Sequence, residues 1–106
     1  MEKALVDYIL DQRAEVDAFM AEAKGNWMGK YPAPTDTEYW SERVPSGTLA
    51  EFKRSELEEC AYYMAADAMS KSYARMISPK LSDMTDQALE DFCAQMGILM
   101  KADEAA

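Results

Sequence analysis

The chain has 106 residues, no histidine, 20 acidic against 11 basic side chains and a formal net charge of -9. Without histidine there are no Ser-His or Cys-His nucleophile pairs and none of the usual imidazole ligands for zinc or haem, and the negative charge repels nucleic-acid phosphate and anionic membrane. A hydrophobic fraction of 49% with only four glycines and four prolines excludes a disordered polypeptide and favours helix.

Residues 2–24 read as one amphipathic helix. Leu5, Tyr8, Ile9, Gln12, Val16, Phe19, Met20 and Ala23 recur at helical spacing, and Gln12 is the single polar member of that stripe. Charge interrupts the segment every three or four residues, so it is neither a signal peptide nor a membrane span, and the expected location is the cytoplasm. Gly25 and Asn26 are placed to end the helix, glycine being the residue that tolerates a left-handed cap.

Residues 25–47 form an irregular segment that carries Trp27, Tyr31, Tyr39 and Trp40 between Pro32, Pro34 and Pro45. Thr35 and Glu38 have capping-box spacing, which predicts a short helix over 36–43. The segment has two readings. Its aromatics can close the open side of a small core, as large aromatics in loops commonly do. They can also form a binding surface, since Tyr and Trp combine apolar area with a polar handle. Burial of Trp27 and Trp40 with exposure of Tyr31 and Tyr39 satisfies both.

After a turn at Pro45-Ser46-Gly47, residues 48–77 predict the longest helix. Thr48 with Glu51 and Ser55 with Glu58 are two capping-box spacings, so a kink or restart is expected near residue 55. Leu57, Cys60, Ala61, Met64, Ala65, Ala68, Met69, Ser72, Tyr73 and Met76 then make a continuous stripe. Its small members, Ala61, Ala65, Ala68 and Ser72, allow another helix to come close, either within the chain or from a second copy. Ser78-Pro79 is expected to stop this helix. A last helix is predicted over 83–96, with Met84, Ala88, Leu89, Phe92, Cys93 and Met96 on its inner face and Gly97 as its cap.

The expected fold is all-α, a compact bundle of three main helices plus one short helix in the aromatic loop. Residues 1–100 form one domain and 101–106 a frayed tail. Met64, Met69, Met76 and Met96 are assigned to the core, where thioethers fill gaps. Cys60 and Cys93 fit no metal or CxxC spacing and read as buried thiols of a reducing compartment, with a disulfide as the minority case.

On the first helix Asp7, Asp11, Glu15 and Glu22 lie away from Leu5 and Ile9. Charge gathers at the chain ends, with three basic and six acidic residues in 1–26, and two basic and six acidic in 80–106. If those end helices pack side by side, they present one negative face. Glu58 and Glu59 are adjacent and so point in different directions on a helix, and "GNWMG" lacks the Lys-Ser/Thr of a phosphate loop.

The expectation is therefore a non-enzyme that needs no cofactor or metal and acts by binding a protein with a basic surface. Tyr31, Tyr39 and Trp40 are its candidate anchors, and Asp7, Asp11 and Glu15 steer the partner. Two alternatives are an acidic DNA mimic that occupies a nucleic-acid-binding protein such as a nuclease, and a structural homo-oligomer built on the small-residue face.

Overall fold

The computed structural model describes residues 1–22 and 28–105. Among these there are five helices and no strand: α1 (Lys3–Glu22), α2 (Thr37–Arg43), α3 (Leu49–Ala68), α4 (Lys71–Asp83) and α5 (Asp86–Ala105). The chain is all-helical, as expected. It divides into two compact units, Met1–Phe52 and Lys53–Ala106, each with its own apolar cluster.

In the first unit, α1 buries Leu5, Ile9 and Val16, with Tyr8 and Gln12 half-buried along the same side. Phe19, expected inside, is exposed. The predicted end of α1 at Gly25-Asn26, and Trp27, lie outside the described residues. Pro34 and Thr35 occupy the centre of a turn closed by the Asp36 N–H donating to the Ala33 carbonyl at 2.9 Å. Asp36, one residue later than the expected Thr35, caps α2 by accepting from the Tyr39 N–H at 3.2 Å.

The turn after α2 is closed by Gly47, whose N–H donates to the Val44 carbonyl at 2.9 Å. Gly47 has φ +69°, a conformation that side chains other than glycine rarely adopt. Thr48 then starts α3 by accepting from the Glu51 N–H at 3.2 Å. The Glu51 carboxylate does not return to Thr48 as in a reciprocal capping box. It reaches further back and accepts from the Ser46 hydroxyl (2.7 Å) and the Ser46 N–H (2.8 Å). These two bonds hold its carboxyl below the ordinary carboxylate range.

The second unit differs most from the sequence expectation. The helix predicted over 48–77 runs unbroken through Ser55 and divides instead at Met69 and Ser70. Ser70 is extended, and its hydroxyl accepts from the Tyr73 N–H at 3.0 Å to start α4. This break resets the helical phase. α4 buries Ala74, Ile77 and Leu81, while Met69 and Met76, assigned to the core by an uninterrupted stripe, are 55% and 66% exposed. Cys60 is exposed too, and Cys93 half-buried.

Pro79 does not stop α4 but sits inside it. A proline there deletes the bond to the carbonyl four residues earlier, that of Arg75. Arg75 and Pro79 are both exposed residues. Thr85 caps α5, accepting from the Ala88 N–H at 3.1 Å. α5 continues through Gly97 and takes in residues 101–105, which the sequence reading assigned to a tail.

Ala61, Ala65, Ala74, Ile77, Leu81 and Leu89 form the buried cluster of this unit, with Leu57, Tyr62, Tyr73 and Phe92 packed against it. The small-residue face of α3 is thus occupied within the unit, Ala61 and Ala65 being fully buried.

Candidate functional site

The first unit holds every predicted site residue. Its centre is a set of edge-on aromatic contacts, the geometry that ring quadrupoles favour. Trp40 lies 5.3 Å from Phe52 and 6.2 Å from Tyr31, and Tyr31 lies 5.2 Å from Phe52. Tyr8 extends the set at 6.0 Å from Phe52, and the Arg43 guanidinium covers the Phe52 ring at 5.4 Å. Leu5, Ile9 and Val44 complete the apolar cluster.

An extended loop over such a core must find partners for its backbone. Gln12, the lone polar residue in the apolar stripe of α1, accepts from the Tyr31 N–H at 3.1 Å through its Oε1. Arg13 donates to the Tyr31 carbonyl at 2.5 Å. Lys30 pairs with Asp17 at 2.8 Å. The Trp40 indole N–H is shared between the carbonyls of Pro32 (3.2 Å) and Ala33 (3.1 Å). The loop is therefore strapped to α1 on one side and to the indole on the other.

This arrangement sorts the three candidate anchors. Trp40 is 2% exposed and satisfied by the loop carbonyls, so it presents no face to a partner and acts as a core residue. Tyr31 is half-buried, its ring engaged by Trp40 and Phe52. Tyr39 is 38% exposed, with its ring held edge-on at 5.0 Å against buried Trp40.

Asp7, Asp11 and Glu15 are all exposed on α1. Their i+4 spacing puts them on one side of the helix, with a rise of about 6 Å between successive carboxylates. Asp7 is engaged by Lys3 at 2.7 Å, in a pair whose side chains are 88% and 52% exposed, so solvent screens most of its worth. Asp11 and Glu15 make the more open part of the row.

A cleft of about 240 Å³ in the same unit is lined by Met1, Thr37, Trp40, Ser41, Val44 and Gly47. It is smaller than the usual range for small-molecule sites, roughly 300–1,000 Å³. In the second unit, a shallow cleft includes Glu58, Glu59, Tyr62 and Leu81. Glu58 is not free for acid-base work there, because Arg54 holds it at 3.3 Å.

Arg54 is the largest feature that sequence reasoning did not single out. Its guanidinium also bonds Asp86 at 2.6 Å and donates to the carbonyls of Leu81 (3.4 Å), Ser82 (3.3 Å) and Met84. It therefore satisfies the orphan carbonyls at the end of α4 while bridging α3 to the start of α5. The Asp86 bond is the main cause that raises its pKa above the ordinary guanidinium value. The partners lie about 30 residues away in sequence, and no local pattern announces them.

No helix among the described residues is long and apolar enough to cross a membrane. Comparison with known protein families, curated proteins and solved structures found no match to this chain.

Proposed function

We propose that this chain is a cytoplasmic helical-bundle protein that catalyses nothing and works by binding another protein. The observation that supports this reading is Tyr39. It is a large amphipathic side chain, exposed and packed edge-on against the buried Trp40 indole. A rigid aromatic loses little freedom on binding, which is what a hot-spot residue requires. The open carboxylates of Asp11 and Glu15, with Asp7 beside them, favour a partner with a basic surface and quicken its approach. Trp40 drops out as a contact and becomes the support for Tyr39.

The test uses a photo-crosslinking residue at Tyr39, with the same residue at Tyr63, which is 63% exposed in the other unit, as a control. Crosslinks to one basic protein are expected at position 39 and not at 63. Tyr39→Ala should weaken that complex by tenfold or more, on the order of 2 kcal/mol, with the helical circular dichroism unchanged. Asp11→Asn with Glu15→Gln should slow association and flatten its salt dependence. Crosslinking at 63 alone, or an unchanged affinity for the Tyr39 variant, would reject the reading.

A further inference from the structure

The second unit brings together the two cysteines that sequence spacing kept apart. α3 and α5 lie side by side in a nearly constant register, fixed by contacts on both sides of the thiols. Before them, Arg54 bonds Asp86, an offset of 32 residues. After them, the methyl of Met64 lies 3.7 Å from where a Cβ on Gly97 would stand, an offset of 33. An offset that changes by only one residue between these contacts means that the two helices run parallel. Cys60 and Cys93 sit one helical turn before Met64 and Gly97 and share their offset of 33, so the register places them at the same level of the two helices. Ala61 and Ala65, both fully buried beside them, keep the α3 surface low.

We propose that Cys60 and Cys93 are a dithiol site that closes into an intramolecular disulfide joining α3 to α5, by exchange with a small-molecule disulfide such as oxidised glutathione. Exposure sets the order of events. Cys60 is open to solvent and Cys93 is half-buried. The Cys60 thiolate attacks one sulfur of oxidised glutathione, forming a mixed disulfide and expelling one glutathione thiolate. The Cys93 thiol then loses its proton and its sulfur attacks Cys60 Sγ, expelling the second glutathione. Two protein thiols are oxidised and one small disulfide is reduced to two thiols. The two protons given up by the protein are balanced by those that the two released glutathiones take up.

Burial, and after it the neighbouring Cys60, push the Cys93 thiol above its ordinary range, which suits the second thiol to react rather than the first. The bridge encloses the whole of α4. Closing that loop removes conformations from the unfolded chain and so stabilises the folded one. Neither thiol alone has this capacity, and it does not depend on the protein-binding reading.

The full-length reduced protein is incubated with oxidised glutathione at several protein concentrations and followed by intact mass and peptide mapping without reductant. The wild type is expected to lose the mass of two hydrogens at a rate independent of protein concentration. Mapping should link Cys60 to Cys93, and the Tm of the oxidised form should rise by about 5 °C or more. Cys93→Ala should halt at a stable glutathione adduct on Cys60, and Cys60→Ala should suppress the fast first addition. The wild-type mapping needs no variant to fold. Separate glutathione adducts on the two thiols, or chains linked to one another, with no internal bridge, would overturn the proposal. So would an internal bridge that lowers the Tm.

Discussion

The unit Met1–Phe52 builds its core from Trp40, Phe52 and Tyr31 under side-chain straps, whereas Lys53–Ala106 builds its core from Ala61, Ala65, Ala74, Ile77, Leu81 and Leu89. The difference follows from what each has to satisfy. The first has one long helix, a seven-residue helix and an extended loop, so much of its backbone lacks helical partners. Large rings cover the gap, and Gln12, Arg13 and the Trp40 indole supply the missing hydrogen bonds. The second has three helices that satisfy their own backbones. Small side chains such as Ala61, Ala65 and Ala74 allow close approach there, and Arg54 serves the carbonyls left over at the end of α4. An irregular backbone calls for large rings and specific polar contacts, and a regular one calls for close approach.

The comparison breaks first at its two centres. Trp40→Ala should cost about 3–5 kcal/mol and Leu89→Ala about 2–5 kcal/mol, read from urea unfolding followed by circular dichroism. Because Trp40 also satisfies two carbonyls, it is expected to be the larger loss, and a larger loss for Leu89 would break the contrast drawn above. Arg54→Ala should be the next in size, speeding amide exchange over residues 81–86. Arg54→Lys should fail to rescue it, since an ammonium cannot serve several carbonyls and two carboxylates from one planar group. Full rescue by lysine would show that charge alone matters there.

A smaller effect tests the straps. Gln12→Ala leaves the Tyr31 N–H without its acceptor and should cost about 1–3 kcal/mol, with Tyr31 ring resonances shifting by NMR. Ser46→Ala should move the Glu51 carboxyl up towards the ordinary range in an NMR titration. Glu51 has a depressed folded-state value, so its contribution is complete above the unfolded value and disappears as pH falls through the folded one. The smallest change should be a gain. Gly97 lies inside α5, and an added Cβ would meet Met64 at an ordinary 3.7 Å. Gly97→Ala should therefore stabilise the protein by about 0.5–1 kcal/mol.

Where local chemistry decided the structure, the sequence was readable. The apolar stripe of Leu5, Ile9 and Val16, the turn at Gly47 and the Thr48 cap all appear as their residue types suggest. The break at Ser70 was hidden because the apolar stripe runs across it without interruption, and only the Ser70 hydroxyl on the Tyr73 N–H shows why the phase changes. Pro79 misled for the opposite reason, since a strong local stop signal is carried inside α4 at an exposed position. In the candidate site, exposure of Asp7, Asp11 and Glu15 was legible from spacing, while of the two tyrosines expected outside, Tyr39 is exposed and Tyr31 half-buried. Burial of Trp40 was among the readings its residue type allowed, but the choice against an anchor role was not legible, because it depends on carbonyls of Pro32 and Ala33 whose path is set by Gln12 and Arg13. Pairings across about 30 residues, such as Arg54 with Asp86 or Met64 with Gly97, leave no trace in composition or period.

The interruption at Met69 and Ser70 also bears on how this chain can change in length. One extra residue in mid-helix swings everything beyond it by about 100° and would carry Ala74, Ile77 and Leu81 off their face. At this junction the winding already starts afresh from Ser70. An insertion between Ala68 and Ser70 can therefore be absorbed by the bend, while the same insertion three residues into either helix cannot.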